Sequence, residues 1–259
     1  MFARLALSTS YSLEQQGLKG QNLVMSVHSK GLLSTSVFRK QVVAITGIFL
    51  VLYIVAHLGG NMLLFLGPGA LNAYAEALHE VEHVLWAMRV VLLAAFVIHI
   101  YMTIKLTQEN RAAGAGRYAV SKPKGDWPLS RRSMTLTGLL VFFFFFFHLS
   151  DFTFAEHGGE ASVVVTAEGE EMNLGLFGLV WNAFLNPWRS AFYIVAVIAV
   201  GMHLSHGIQS LFQSLGLTHP RYTPWIHKIS VLVGVIVAVS FALIPIYVLI
   251  RHHTIGVGV

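Results

Sequence analysis

Five of the chain's 13 histidines fall inside long apolar segments: His57, His99, His148, His203 and His206. Ionisable side chains in such segments are rare and by default functional. A neutral imidazole nitrogen is a good ligand for iron. Two imidazoles at one depth on different helices can hold a planar iron macrocycle between them, one nitrogen to each face. The chain has no cysteine, which rules out disulfides, thiol catalysis and iron–sulfur ligation by this polypeptide. No residue is assigned a catalytic role of its own. The chemistry on offer is therefore ligation of two haem b groups by histidine, provided that the helices bring the histidines together in pairs.

The elements that must do this are membrane spans. Of 259 residues, 55% are hydrophobic and only 11% charged, against roughly a quarter charged in an average soluble domain. A water-soluble globule of this size would lack the charge to cover its surface, and a disordered chain would be poorer in apolar residues. A spanning helix needs about 20 mostly apolar residues, and five segments supply them: Val42–Leu66, Val84–Leu106, Met134–Phe154, Ala191–Leu215 and Ile229–Ile250. None alternates with period two, which excludes a β-barrel reading. The expected fold is an all-α integral membrane bundle of five transmembrane helices, multi-pass, around two stacked haems. The domain division is a tail over 1–38 and the membrane domain over 39–259. Met25 is an alternative start, and the residues before it carry no functional assignment.

Basic residues set the direction of the spans. The N-terminal segment (Arg4, Lys19, Lys30, Arg39, Lys40), the loop from Lys105 to Arg132, and Arg221 with Lys228 lie on one side. Only Arg89, Arg189 and Arg251 lie on the other, where the 155–188 connection is acidic. The N-terminus is expected in the cytoplasm and the C-terminus outside. The net charge of +5 is thus a topology signal, and nucleic acid is not an expected partner. The bilayer is.

With the direction set, depth follows from a rise of about 1.5 Å per residue. His57 lies 17 residues past Lys40 and His148 lies 16 past Arg132, so both sit about 25 Å from the cytoplasmic edge. His99 is six residues before Lys105, about 9 Å from that edge. His203 sits 14 residues past Arg189, about 21 Å down from the outer side. Four successive spans alternate outer, inner, outer, inner. The pairs are His57 with His148 for the outer iron and His99 with His203 for the inner, with His206 an alternative on the adjacent face.

The first span reads TGIFLVLYIVAH, from Thr46 to His57, and the third TGLLVFFFFFFH, from Thr137 to His148. In both, a histidine follows the glycine by ten residues. Gly47 and Gly138 then fall at the inner level, where a missing side chain allows a porphyrin close to the backbone. Elsewhere, Ala70–His83 reads as a short amphipathic helix outside the membrane. Leu174–Leu185 reads as an interfacial segment anchored by Trp181 and Trp188. Phe142–Phe147 reads as lipid-facing and haem-packing bulk. Arg89 needs a partner or must snorkel. Asp151 and the cluster Glu76, His79, Glu80, Glu82 and His83 are equally compatible with proton exchange near a quinone and with a solvated face.

These residues resemble the di-haem cytochrome b membrane anchors of succinate dehydrogenases and fumarate reductases, in their single-chain, five-helix form. The likeness runs from about Phe38 to Arg251. It rests on the two TG…H spans, on His99 in VIHIYMTIKL, and on NPWRSAFY leading into MHLSHGIQSLFQSLG. The His203–Gly207 spacing is similar to the family pattern in which the first histidine is the ligand, leaving His206 for a propionate or a neighbouring helix.

The resemblance implies flavoprotein and iron–sulfur partner subunits at the cytoplasmic face of a bacterial inner membrane. It implies electron transfer from succinate through both haems to a quinone, commonly menaquinone, with no dehydrogenase chemistry in this chain alone. Some relatives carry a membrane glutamate just before the fourth-span ligand; Gly201 and Met202 stand there instead. Competing readings are a cytochrome b of another oxidoreductase, a transporter relaying protons through its histidines, and a purely structural anchor.

Overall fold

The computed structural model describes residues 35–114, 129–156, 159–165 and 169–255. The candidate start Met25, most of the tail, the centre of the basic loop, His157 and Glu168 lie outside them. Seven helices make up the described chain. They are α1 (Ser36–Met62), α2 (Pro68–Glu80), α3 (Glu82–Gly114), α4 (Leu129–His148), α5 (Gly175–Leu185), α6 (Pro187–Ser214) and α7 (Thr223–Ile255). Five of them, α1, α3, α4, α6 and α7, are long and apolar enough to cross a membrane. They coincide with the five expected spans; all five begin earlier than expected, and α1, α4 and α6 end earlier, at Met62, His148 and Ser214.

The caps are set locally. Thr35 is extended (φ −80°, ψ 142°) and its hydroxyl accepts from Phe38 N, one of the four amides a helix start leaves unpaired. Asn186 does the same for α6, accepting from Trp188 N and Arg189 N, with Pro187 in the first turn. Past Met62 a 3-10 turn over Leu63–Leu66 follows α1; Gly67 at φ 98° ends that turn and Pro68 opens α2. That positive φ strains any other residue.

Between α2 and α3, Val81 leaves helical geometry (φ −103°, ψ 43°). The expected single helix over Ala70–His83 is thereby cut into α2 and the first turn of α3, which begins at Glu82 and carries His83. The Glu82 carboxylate accepts from Trp86 Nε1 one turn on.

A second difference concerns α5. Seven of its residues are buried, Trp181 among them at 4% exposure, whereas Trp188 is 84% exposed. Trp181 is therefore a core residue and not an interfacial anchor. A helix that is apolar all round has no polar face to lay against headgroups and is stable only when covered. The cover comes from a short antiparallel hairpin that sequence patterning does not reveal, β1 (Val163–Val165) with β2 (Glu171–Asn173), Val164 facing Met172. It also comes from α2, α6 and α7. Gly178 permits the contact, since a Cβ there would stand 2.1 Å from the Ser162 carbonyl oxygen. Asn72 of α2 ties the cap down, donating to Leu174 O (2.9 Å) and accepting from Phe177 N (3.2 Å).

The hub of the bundle is α6, which packs against α1, α4, α5 and α7. Of its apolar span 44% is buried, whereas on α3 Ala95 alone of the described side chains is buried. The α6–α7 crossing is close because two glycines face each other: a Cβ on Gly201 would meet Gly234 O at 2.4 Å. Small residues at such crossings let membrane helices approach backbone to backbone.

Candidate functional site: two levels of paired histidines

At the end of the bundle where α1 finishes, α1 and α4 bring His57 and His148 together, their ring centres 5.6 Å apart and nearly perpendicular. This is the upper pair. An imidazole nitrogen ligates a first-row metal at about 2.0–2.1 Å, so two rings sharing one ion stand with centres roughly 6 Å apart. His57 stacks on Tyr53 (5.4 Å) and is flanked by Phe241 of α7 (5.8 Å). His148 is surrounded by Phe144 (5.7 Å), Phe152 (5.4 Å) and Tyr193 (6.3 Å). Its Nδ1 is buried and has no hydrogen-bond partner among the described residues. A buried, unpaired ring nitrogen costs free energy unless something outside the polypeptide satisfies it. His57 differs: Asn61 Nδ2 lies 3.3 Å from its Nε2 and donates to its carbonyl at 2.8 Å. The amide must turn aside for that nitrogen to meet a metal.

Eleven residues earlier on the same two helices lie the threonines of the repeated Thr-Gly pairs. Thr46 Oγ1 is 3.2 Å from His99 Nδ1, and Thr137 Oγ1 is 3.3 Å from His203 Nδ1. Each hydroxyl already donates within its own helix, Thr46 to Val42 O (2.8 Å) and Thr137 to Ser133 O (2.9 Å). Its lone pair is therefore what faces the imidazole, so Nδ1 carries the hydrogen and donates. The lone pair of the neutral ring is then on Nε2, turned away from the threonine. Metal-ligating histidines are commonly oriented in this way, the second nitrogen held by a neighbouring acceptor.

The adjacent glycines complete the seat. The nearest atom to a Cβ on Gly47 would be His99 Cε1 at 3.6 Å, and on Gly138 it would be His203 Cε1 at 3.3 Å. In the described chain the missing side chains make room for imidazole rings. His203 also lies within electrostatic reach of His99 and of His206. His206 itself interacts with His227 of α7 and is half-buried; no threonine seat is formed around it.

Thus α1 seats His99, α4 seats His203, and the same two helices carry the upper pair. The threonines are the site residues that sequence reading passed over. The recurrence of Thr-Gly was visible, but only the glycine was given a role. Asn61 and Tyr193 gave no comparable signal.

The remaining candidates fall elsewhere. Glu76, His79, Glu80, Glu82 and His83 are exposed. Arg89 lies over the Trp86 ring at 5.1 Å. Phe143, Phe146 and Phe147 point outward, more than half exposed, while Phe144 packs on His148 and Tyr193. Among the described residues there is no group of three or more His, Asp or Glu side chains able to hold a metal ion unaided. Paired donors suit a metal whose remaining ligands come from a macrocycle. The chain matches no protein-family model, no curated protein and no solved structure.

Proposed function

We propose that this chain is the membrane anchor and electron-transfer subunit of a succinate:quinone oxidoreductase. In this reading it binds one haem b between His57 and His148 and another between His99 and His203. One observation carries the haem assignment. Two helices with the same Thr-Gly…His pattern each set the threonine hydroxyl against Nδ1 of a histidine on the next long helix, at 3.2 and 3.3 Å. A ligand histidine needs one ring nitrogen held by a neighbouring acceptor, and a packing histidine does not. The unpaired Nδ1 of His148 supports the same assignment at the upper level.

Bound haem would supply two one-electron centres at different depths. The chain's own residues hold, orient and shield them. Tyr53, Phe144, Phe152 and Phe241 keep water from the upper imidazoles, and Thr46 and Thr137 orient the lower ones. His203 is favoured over His206 as ligand because the threonine seat is built around it. Acidity at position 201 is sterically disfavoured, because a Cβ there would already meet the Gly234 carbonyl oxygen. This agrees with the absence of the glutamate that some relatives in the resembled family use for proton movement.

The narrower identification rests on the resemblance of the histidine-bearing motifs. It brings flavoprotein and iron–sulfur subunits at the basic face, a quinone, commonly menaquinone, as electron acceptor, and a bacterial inner membrane with the N-terminus in the cytoplasm.

The test is a haem count and a reduced-minus-oxidised spectrum on the full chain purified in detergent. Two b-type haems per chain are expected, and His57→Ala or His148→Ala should remove one and spare the other. Haem absent from a folded chain refutes the assignment and favours proton relay by the same histidines. Isolation of the complex from native membranes separates succinate oxidoreductase from other cytochrome b assemblies. Flavoprotein and iron–sulfur subunits with succinate:quinone activity are expected, and other partners would overturn that part.

A further inference from the structure

A carboxylate lies beside the upper pair, on the turn that follows His148. Helix α4 ends there in a single π turn, Leu149–Thr153, closed by Phe154 N on Leu149 O at 2.9 Å. Such insertions cluster at functional sites. Asp151 sits in it, three residues past His148, with 18% of its side chain exposed. Tyr193 of α6, 5% exposed, donates its phenol hydrogen to Asp151 Oδ2 at 2.8 Å, and its ring centre stands 6.3 Å from that of His148. Arg189, one turn earlier on α6, approaches the same carboxylate oxygen at 3.7 Å and is 45% exposed. The carboxylate is thus pinned from inside by a buried phenol and balanced from outside by a guanidinium that water screens more strongly.

We infer that Asp151, held by Tyr193 and opposed by Arg189, sets the redox potential of the metal centre at the His57/His148 pair. The inference rests on the haem reading above. Reduction adds one electron to the centre and removes one unit of its positive charge. A fixed anion nearby therefore favours the oxidised form and lowers the potential, and a fixed cation raises it. Because Arg189 is the more exposed partner, its field is the more screened, and the net influence at His148 is that of the carboxylate. The lower histidines have neutral partners, Thr46 and Thr137. The device acts on one of the two centres.

The experiment is a spectroelectrochemical titration of the full chain with both haems bound, at one pH, for the wild type, Asp151→Asn and Arg189→Gln. Asp151→Asn should shift the potential of the upper centre upward. Arg189→Gln should shift it downward and by less. The centre that survives His57→Ala, the lower one, should not move in either variant. Opposite signs are the decisive feature, since simple loosening of the turn would move both variants the same way. If haem stoichiometry stays at two and the upper potential is unmoved, or moves in one direction in both variants, the inference is overturned while the haem reading stands. If Asp151→Asn fails to fold, the downward shift in Arg189→Gln decides alone, and its absence overturns the inference. A wild-type chain with no centre to titrate overturns the reading beneath it.

Discussion

Replacing Thr137 by valine removes one oxygen and almost no volume, so its consequence can be worked out from a single contact. Thr137 is 3% exposed, and its hydroxyl faces His203 Nδ1 at 3.3 Å. Without it, the Nδ1–H is left inside the bundle unpaired, which costs about 1–3 kcal/mol, or the ring turns over and puts its hydrogen on Nε2. On the haem reading, either outcome weakens the ligand. Loss of such an orienting partner typically lowers metal affinity about 10–100-fold, and that factor corresponds to roughly 1.4–2.7 kcal/mol, the same range by a separate route. The assay is transfer of haem from the purified chain to an excess of apo-acceptor, followed optically. Thr137→Val should release the lower haem about 10–100-fold more readily and leave the upper haem unchanged. Thr137→Ser should behave as wild type. Thr46→Val should destabilise that same lower haem, although it lies on another helix and seats another histidine. Equal retention in Thr137→Val and wild type, or loss of different haems in the two valine variants, would refute the tautomer argument.

Further outcomes follow from the same contacts. Gly234→Ala should destabilise the α6–α7 crossing by about 1–3 kcal/mol or more, since its Cβ would meet Ser205 Oγ at 2.0 Å and Gly201 O at 2.4 Å; thermal unfolding in detergent measures it. Gly138→Ala should perturb the lower haem spectrum more than Gly47→Ala, because His203 Cε1 stands at 3.3 Å and His99 Cε1 at an ordinary 3.6 Å. Equal spectra in the two variants would count against the seat. Asn72→Ala removes both bonds that tie α2 to α5. It should cost about 1–2 kcal/mol, read as earlier proteolysis of the hairpin and α5 with haem content unchanged.

The five spans were legible because each is a long, mostly apolar run, longer than any core element of a soluble domain, and polar connections separate them. The cap was not. The run Leu174–Leu185 is too short to span, and nothing local distinguishes a buried short helix from one lying in the interface. The difference comes from Ser162 backing onto Gly178 and Asn72 reaching across 102 residues of sequence. Neither contact leaves a trace in periodicity. The break at Val81 was hidden for a related reason, since the residues around it all have helical propensity. Among the site residues, the histidines stood out by type and depth. Thr46 and Thr137 did not, because threonine in a membrane helix is ordinary and its role depends on the ring it faces. The recurrence of the pair at one spacing was the available signal, and it carried more information in the threonine than in the glycine.

That recurrence also organises the bundle. Helix α1 seats the histidine of α3, and α4 seats the histidine of α6, so the four helices form two units of the same construction. In each unit the first helix carries an upper histidine and a Thr-Gly seat, and the second carries the lower histidine. The units meet where α1 packs on α6, and Phe96 of α3 touches Phe145 of α4 at a ring separation of 4.2 Å. Every histidine pair therefore takes one member from each unit. A repeated pair of helices that only packed together would have no reason to repeat a hydroxyl acceptor one residue before the glycine and eleven before the histidine. On the haem reading it has one, because a centre held between units would need an oriented nitrogen from both sides. The helix left outside this scheme is α7, which fills the flank of α6 through the Gly201–Gly234 crossing. Substitutions confined to that crossing should therefore change stability before they change haem content, whereas substitutions at either threonine should do the reverse.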